Sequence, residues 1–288
     1  MKNIINKTII GTAQLFSYYG ISNFEKDKKN KKKAVKFLNF CIKKGFRKFD
    51  TAPGYGSELL LSEVVKNKKN LDITTKIPSL LKYKKKEKFK IIEKSVKDSY
   101  IKFKQNLKTI LFHNQNDINF VLNNFSYIKR IFLNCKVPNF GFSIYDLKKL
   151  KILKKQIKKD KITLQVPINF VDDRFLKVNY PINYSISGRS IFLQGLLINK
   201  NIKKRLNKRN RLLHQKYFDY LDKNSINPYE ICFSIIKSSK IDNFTVGFDN
   251  IFQVNQFIKK DKKIAFLNHK TRIKKIFSNK SILDPRKW

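Results

Sequence analysis

The sequence predicts an α/β protein folded as a single (β/α)8 barrel, the TIM-barrel architecture, over residues 1–288. Short β-branched or aromatic runs alternate with longer segments of helical apolar period about eight times. The repeat is about 36 residues, close to the ~30 that one strand–helix–strand unit occupies. The glycine fingerprint of an open dinucleotide-binding sheet is missing, because Gly11 is followed by Thr12-Ala13-Gln14-Leu15-Phe16 rather than G-x-G-x-x-G. A chain of 288 residues, 41% hydrophobic, can fill one large core, and no break in composition divides it.

Residues 8–14 (TIIGTAQ) read as the first strand, and a loop with Tyr18, Tyr19 and Gly20 follows. Residues 33–44 carry an apolar helical stripe through Ala34, Phe37, Leu38 and Cys41. The second strand ends at Asp50, and residues 59–66 are helical. Residues 71–76 form the third strand, stopped by Pro78, and residues 87–103 a helix with Ile91, Ile92, Val96 and Tyr100 on one face. Residues 109–113 are a short buried strand, and 118–132 one helix. Strands at 137–143 and 162–167 flank a helix at 145–157, and residues 170–178 form a partly helical connection. The seventh strand is 184–189, followed by helices at 203–222 and 228–236. Strand 243–247 and helix 250–259 complete the alternation.

Lys and Arg number 64 against 21 Asp and Glu, a net charge of +43. Such a surface attracts polyanions at low salt. Only nine of the 64 are Arg, and the lysines are spread along the whole chain beside abundant Asn, Ile and Phe. That is the signature of codon drift rather than of a nucleic-acid reader, which relies on Arg for bidentate base contacts. No specific nucleic-acid partner is therefore expected. Cys41, Cys135 and Cys232 are too far apart for a CxxC pair, and each sits in an apolar run. They are expected to be packing residues of a cytoplasmic protein. The three His have no metal-ligand spacing, so no metal is expected. No run reaches the ~20 apolar residues of a membrane helix, and residues 1–7 lack a signal-peptide core.

One stretch, Phe49-Asp50-Thr51-Ala52-Pro53-Gly54-Tyr55-Gly56-Ser57-Glu58, sits between a strand and a helix. Its simplest reading is a turn with a helix cap at Ser57 and Glu58. Its position suggests more, since chemistry in a barrel of this kind gathers at the carboxyl ends of the strands. Asp50, Lys76 and His113 end three successive strands, and Tyr55 follows Asp50 in a Gly-bracketed turn. Taken singly, each has a structural role open to it. Together they suit hydride addition to a carbonyl. Tyr55 would donate the proton, and Lys76 would lower the phenol pKa from its ordinary ~10. Asp50 would keep Lys76 charged, and His113 would align the carbonyl oxygen. The hydride itself requires a reduced nicotinamide.

The motifs taken together resemble the aldo/keto reductase family from about Thr8 to Trp288. Gly11-Thr12-Ala13-Gln14 resembles its first strand, and Asp50-Thr51-Ala52-x-x-Tyr55-Gly56 its signature. Thr75-Lys76 and Leu111-Phe112-His113-Asn114 are similar to its lysine and histidine segments. Gly141-Phe142-Ser143, Gln165 with Asn169, the run from Arg189 to Leu197, and Val246-Gly247 with Gln253 resemble its later strands. The ending Asp284-Pro285-Arg286-Lys287-Trp288 is similar to that of a bacterial branch.

The resemblance implies a nicotinamide dinucleotide, NADP(H) favoured and NAD(H) the alternative, extended across the barrel mouth. Ser143 and Gln165 would hold its carboxamide, Asp50 the adjoining ribose, and Arg189 would lie near the ring. Ser190 and Phe192 would line the pyrophosphate, Gly247, Asp249, Asn250 and Gln253 the adenosine end, and Thr12 would join the cofactor site. Ile144 stands where many relatives carry Asn, Ser62 where a glycine is usual, and Asn250 to Gln253 lacks the arginine that commonly grips a 2′-phosphate. The expected partner is a small-molecule carbonyl substrate, possession of a sugar skeleton being one option, and the expected assembly a monomer or weak homo-oligomer. The alternative reading is a non-catalytic barrel that binds the cofactor as a redox sensor or partner-binding subunit.

Overall fold

A computed structural model describes residues 2–16, 30–201, 206–259, 267–277 and 280–285. Eight strands follow in chain order: β1 (Thr8–Gly11), β2 (Lys48–Asp50), β3 (Asp72–Ile77), β4 (Leu107–Phe112), β5 (Asn139–Ser143), β6 (Ile162–Pro167), β7 (Tyr184–Arg189) and β8 (Asn243–Gly247). Every strand pairs in parallel with its sequence neighbour, and β8 closes on β1. The predicted closed (β/α)8 barrel is the observed fold.

The period-two alternation of the strands divides the chemistry. Ile110 and Phe112, Leu164 and Val166, and Phe244 and Val246 are buried in the layer between barrel and helices. Their neighbours Thr109, Thr163, Gln165 and Thr245 face the barrel axis instead. Barrel interiors of this kind are commonly packed with branched aliphatics. Here the lower axis is lined by Thr74, Thr109, Thr163 and Ser187, with Lys48 and Asp72 at the amino-terminal ends of their strands.

The helical layer departs from the sequence reading in a few places. Residues 118–132 are two helices, Ile118–Asn123 and Phe125–Asn134, broken at Asn124. The Asn124 amide donates to the Phe120 carbonyl at 2.8 Å, a local bond that competes with helix propagation. Two further helices, Lys2–Lys7 and Leu267–Ile276, were not predicted. The helix expected at 203–222 is observed over Lys208–Lys223, and residues 202–205 lie outside the described residues. Strand β1 ends at Gly11, and Gln14 belongs to a short helix, Ala13–Phe16. Cys41 and Cys232 are buried as expected, whereas Cys135 is half-buried. Among the described residues no helix is long and apolar enough to cross a membrane.

Candidate active site

Strand parity carries charged side chains to the mouth. Asp50 ends β2, and Lys76 lies two residues beyond Thr74, its register partner. Both are almost completely buried, and Lys76 Nζ is 2.6 Å from Asp50 Oδ1. The same ammonium donates to the Thr51 carbonyl at 2.9 Å. Gln165 on β6 donates to the other carboxylate oxygen of Asp50 at 2.8 Å. A buried charge is tolerated only when paired and hydrogen-bonded, and this pair satisfies both conditions.

Tyr55 closes a turn of 3-10 helix, Pro53–Tyr55, which ends on Gly56 at φ 71°, a conformation suited to glycine. Its ring lies with Lys76 Nζ 5.1 Å from its centre. The His113 ring meets it edge-on, 6.0 Å between centres at 86°. The four residues read from the sequence as a catalytic group therefore converge.

The electrostatics differ from expectation at Tyr55. Burial pushes its pKa above the ordinary phenol value, and Asp50 adds to the rise while Arg189 opposes it. Lys76, paired with Asp50, does not set the direction, because burial is the larger effect. The phenol is consequently held protonated. His113 is pushed down to about 4, first by burial and then by Lys76, with Asp50 acting the other way and Arg189 reinforcing the fall. It is neutral at neutral pH.

The supporting turn is built from below. Ser57 stands at the amino-terminal cap of helix Glu58–Val65, but its side chain makes no cap bond. Its hydroxyl instead meets Thr12 Oγ1 at 2.9 Å, and Thr12 Oγ1 bonds the Asp50 carbonyl at 3.0 Å. Glu58, buried, accepts from Thr75 Oγ1 at 2.5 Å and pairs with Lys102 at 2.6 Å. Ser57 and Glu58 thus hold the cap and first-turn positions expected of them, but their side chains anchor the turn to Thr12 and β3 instead of bonding the helix end. Ser62, where a glycine was the usual residue, bonds the Leu59 carbonyl at 2.7 Å.

Two clefts meet over this group. The first runs from Asp50, Tyr55 and Gln165 past Arg189, Ser190 and Phe192 to Gly247, Asp249 and Gln253. The second is lined by Tyr55, His113, Ser143, Gln165 and Arg189 together with Ser79, Asn114, Gln115, Tyr145 and Gln194. Of the predicted cofactor residues, Thr12 is buried beneath the turn and lines neither cleft. Asn250 also lines neither, and its side chain accepts from the Gln253 backbone N–H at 2.9 Å. Tyr18 and Tyr19, in the loop read after the first strand, lie outside the described residues.

Sequence reasoning missed Gln14, Thr245, Tyr145 and Gln194. Thr245 was within reach, two positions before Gly247 and so on the same strand face. Tyr145 stacks on Arg189, with the guanidinium 3.9 Å from its ring centre. Gln194 enters both clefts from a left-handed turn, φ 55°, for which a non-glycine residue gives no local signal.

The first cleft suits an extended, polar, anionic group. Ser190 and Gln194 hold positive-φ backbone along one side, as does Leu193 behind them, a concentration of strain of the kind kept at ligand sites. Opposite, the Gln14 side-chain amide lies against Gly247, 2.1 Å from where a Cβ would sit, so any side chain there would have to displace that flexible amide. Arg189 contributes a cation, and Gln165, Ser190 and Gln253 contribute hydrogen-bonding side chains. Among the described residues no group of three His, Cys, Asp or Glu is placed to hold a metal.

The aldo/keto reductase family model matches residues 7–263. The chain belongs to the aldo/keto reductase family. It is accordingly an NAD(P)H-dependent oxidoreductase acting on small-molecule carbonyl compounds. Solved structures are similar throughout the barrel. An aldo-keto reductase from Bacillus halodurans in its holo form is 15% identical with TM-score 0.70, covering 94% of this chain and 91% of its own. A glycerol dehydrogenase from Gluconobacter oxydans is 16% identical with TM-score 0.65, over 94% and 90%. A mutant of the protein Gox0644 in complex with NADPH is 10% identical with TM-score 0.64, over 94% and 89%. No curated protein matches. At these identities the likeness concerns the fold of this aldo/keto reductase.

Proposed function

We propose that this aldo/keto reductase reduces an aldehyde or ketone to an alcohol, with Tyr55 as proton donor and Lys76, Asp50 and His113 assisting. The observation that supports it most is the buried Lys76–Asp50 pair lying beneath a protonated Tyr55 with neutral His113 at its edge. A reduced nicotinamide, NADP(H) in preference to NAD(H), supplies the hydride when bound. Gln165 and Ser143 hold its carboxamide end. Arg189, Ser190 and Phe192 line its middle, and Gly247, Asp249 and Gln253 its far end, where Asn250 acts through its bond to the Gln253 backbone. Asp50 orients the near ribose, and Thr12 acts by fixing the Asp50 turn.

Within this frame Tyr55 gives its phenolic proton to the carbonyl oxygen as negative charge develops there. Lys76, held by Asp50 and the Thr51 carbonyl, stabilises the phenolate left behind. His113, neutral, offers a ring N–H to the same oxygen without delivering a full charge. The whole chain, residues 1–288, acts as one such domain, cytoplasmic and monomeric or weakly self-associating.

Fluorescence titration with NADPH and NADH in ~150 mM salt, where exposed charge is screened, tests the first step. Saturable binding of either, followed by carbonyl-dependent oxidation of the bound cofactor, is the expected result. Binding without any hydride transfer in a single turnover would favour the non-catalytic barrel. A flat response to both cofactors would overturn the reading.

A further inference from the structure

We propose that the lower barrel axis is a second binding site, separate from the mouth, for a small neutral polyol of three or four carbons. The inference goes beyond the reductase reading and does not rest on it.

The site follows from the residues that the strands turn inward. Midway along the axis, β3, β4, β6 and β7 present Thr74, Thr109, Thr163 and Ser187, where branched aliphatics would fill the space. These short hydroxyl side chains leave a cavity of about 140 Å³. Ile9 and Leu111 are its aliphatic members, and more of its wall is polar than apolar. Gln165 is the only described residue that it shares with the two clefts of the mouth. The other end opens at the amino-terminal face of the barrel. Lys48, Asp72, Asn139 and Asn243 ring that opening, each half-buried and each the first residue of its strand.

The protein does not satisfy this well by itself. Ser187 is 5% exposed, and its Oγ has no hydrogen-bond partner. Buried hydroxyls are ordinarily bonded, so an orphan aimed into a cavity calls for an occupant. Among the described residues Lys48 and Asp72, register partners on β2 and β3, form no ion pair, and the Lys48 ammonium is turned to the Asn243 amide oxygen instead. Burial holds the Asp72 carboxyl above its ordinary pKa, although Lys48 and Lys108 pull it down.

The chemistry of the wall selects the occupant. Hydroxyls and amides both donate and accept, as alcohol groups do. An anion would bring acceptors alone and would face Asp72, and a cation would face Lys48. The volume equals roughly four or five waters at ~30 Å³ each, or one polyol of three or four carbons. Such a molecule makes the bonds of the water cluster while immobilising one body in place of several.

The test is a methyl-resolved NMR titration of the full chain with glycerol and erythritol in ~150 mM salt. Propan-1-ol is the apolar control and lactate the anionic one. The methyls of Thr74, Thr109 and Thr163 should shift saturably with at least one polyol, at an affinity about tenfold or more above either control. Ser187→Ala and Thr109→Val should each weaken that binding by roughly threefold to tenfold, the size of one lost neutral hydrogen bond. Ser187→Ala deletes an unpartnered group, so the variant is expected to fold. Arg189→Leu, at the mouth, should leave the affinity unchanged. No saturable shift would mean that the well holds water only and would overturn the proposal, as would controls bound as tightly as the polyols. Affinity lost in Arg189→Leu but kept in Ser187→Ala would place the polyol at the mouth and overturn it too. The measurement uses neither cofactor nor turnover, so failure of the reductase reading would leave its outcome standing.

Discussion

Lys76 Nζ lies 2.6 Å from Asp50 Oδ1 in a setting where the lysine side chain is only 1% exposed. Two ions so deeply removed from water stabilise one another only as a unit. Lys76→Met would leave the Asp50 carboxylate with the Gln165 amide alone, and Asp50→Asn would leave the ammonium without its counter-charge. Each single change should lower stability by about 3–5 kcal/mol, and the double change should recover a large part of the loss. Urea midpoints of the four proteins check this. Additive losses would mean that the pair is not coupled.

Tyr55→Phe removes one hydroxyl and keeps the ring against which Lys76 and His113 lie. Turnover should fall by roughly 10²–10⁴, the usual scale for a lost general acid, while cofactor affinity stays within about threefold. Steady-state rates and a cofactor titration on the same preparation separate the two. A rate within about tenfold of the parent would remove Tyr55 from the proton-transfer role.

Much of the fold was legible because the strands announce themselves. Strands β6, β7 and β8 were predicted with the bounds observed, each a β-branched or aromatic run set off by turn residues or charges. The helix Leu267–Ile276 was not, because its sequence is cationic and its burial comes from distant partners. Ile273 and Phe277 are buried there, and Phe277 packs on Tyr217 with ring centres 5.2 Å apart. In the site, Asp50, Lys76 and His113 were readable as lying at the carboxyl ends of three strands, although β3 runs on to Ile77 and β4 stops at Phe112, one residue before His113. The direction of the Tyr55 pKa was not. The pairing of Lys76 with Asp50 was readable, but the direction at Tyr55 depends on how burial competes with charge, and the sequence does not show how deeply the phenol sits. Thr12 likewise looked like a ligand residue, whereas its hydroxyl is committed to the turn that carries Asp50.

The pKa of His113, about 4 against an ordinary 6.5, makes a prediction about acid stability. Between those values the unfolded chain binds a proton that the folded chain refuses. Stability therefore rises with pH across this window and falls as pH drops from about 6.5 toward 4, but by no more than about 1 kcal/mol from this residue, because His113 is exposed at the mouth and solvent screens its charge. His214, also depressed by burial, adds to the same slope. His113→Asn should flatten the dependence without abolishing it. Denaturant midpoints at pH 7.5 and pH 5 give the readout, and an identical slope in parent and variant would show that His113 titrates normally.

Gly141 offers a purely steric test of the barrel wall that holds Ser143 and Gln165. It pairs with Thr163 across β5 and β6, two residues before the Ser143–Gln165 pair. A Cβ at Gly141 would fall 1.7 Å from the Thr163 carbonyl oxygen, and the obstacle is backbone that cannot rotate away. Alanine there must push β5 from β6 and break the parallel ladder between them. Gly141→Ala should therefore cost about 3 kcal/mol or more, at the upper end of overpacking effects, and reduce soluble yield. Gly54 is the matched control, since nothing lies within 4 Å of a Cβ built on it. Gly54→Ala should change the melting temperature by no more than about 2 °C. If Gly141→Ala melts as the parent does, β5 and β6 are not in the register described. If it unfolds while Gly54→Ala does not, the close approach of the two strands is what sets Ser143 beside Gln165.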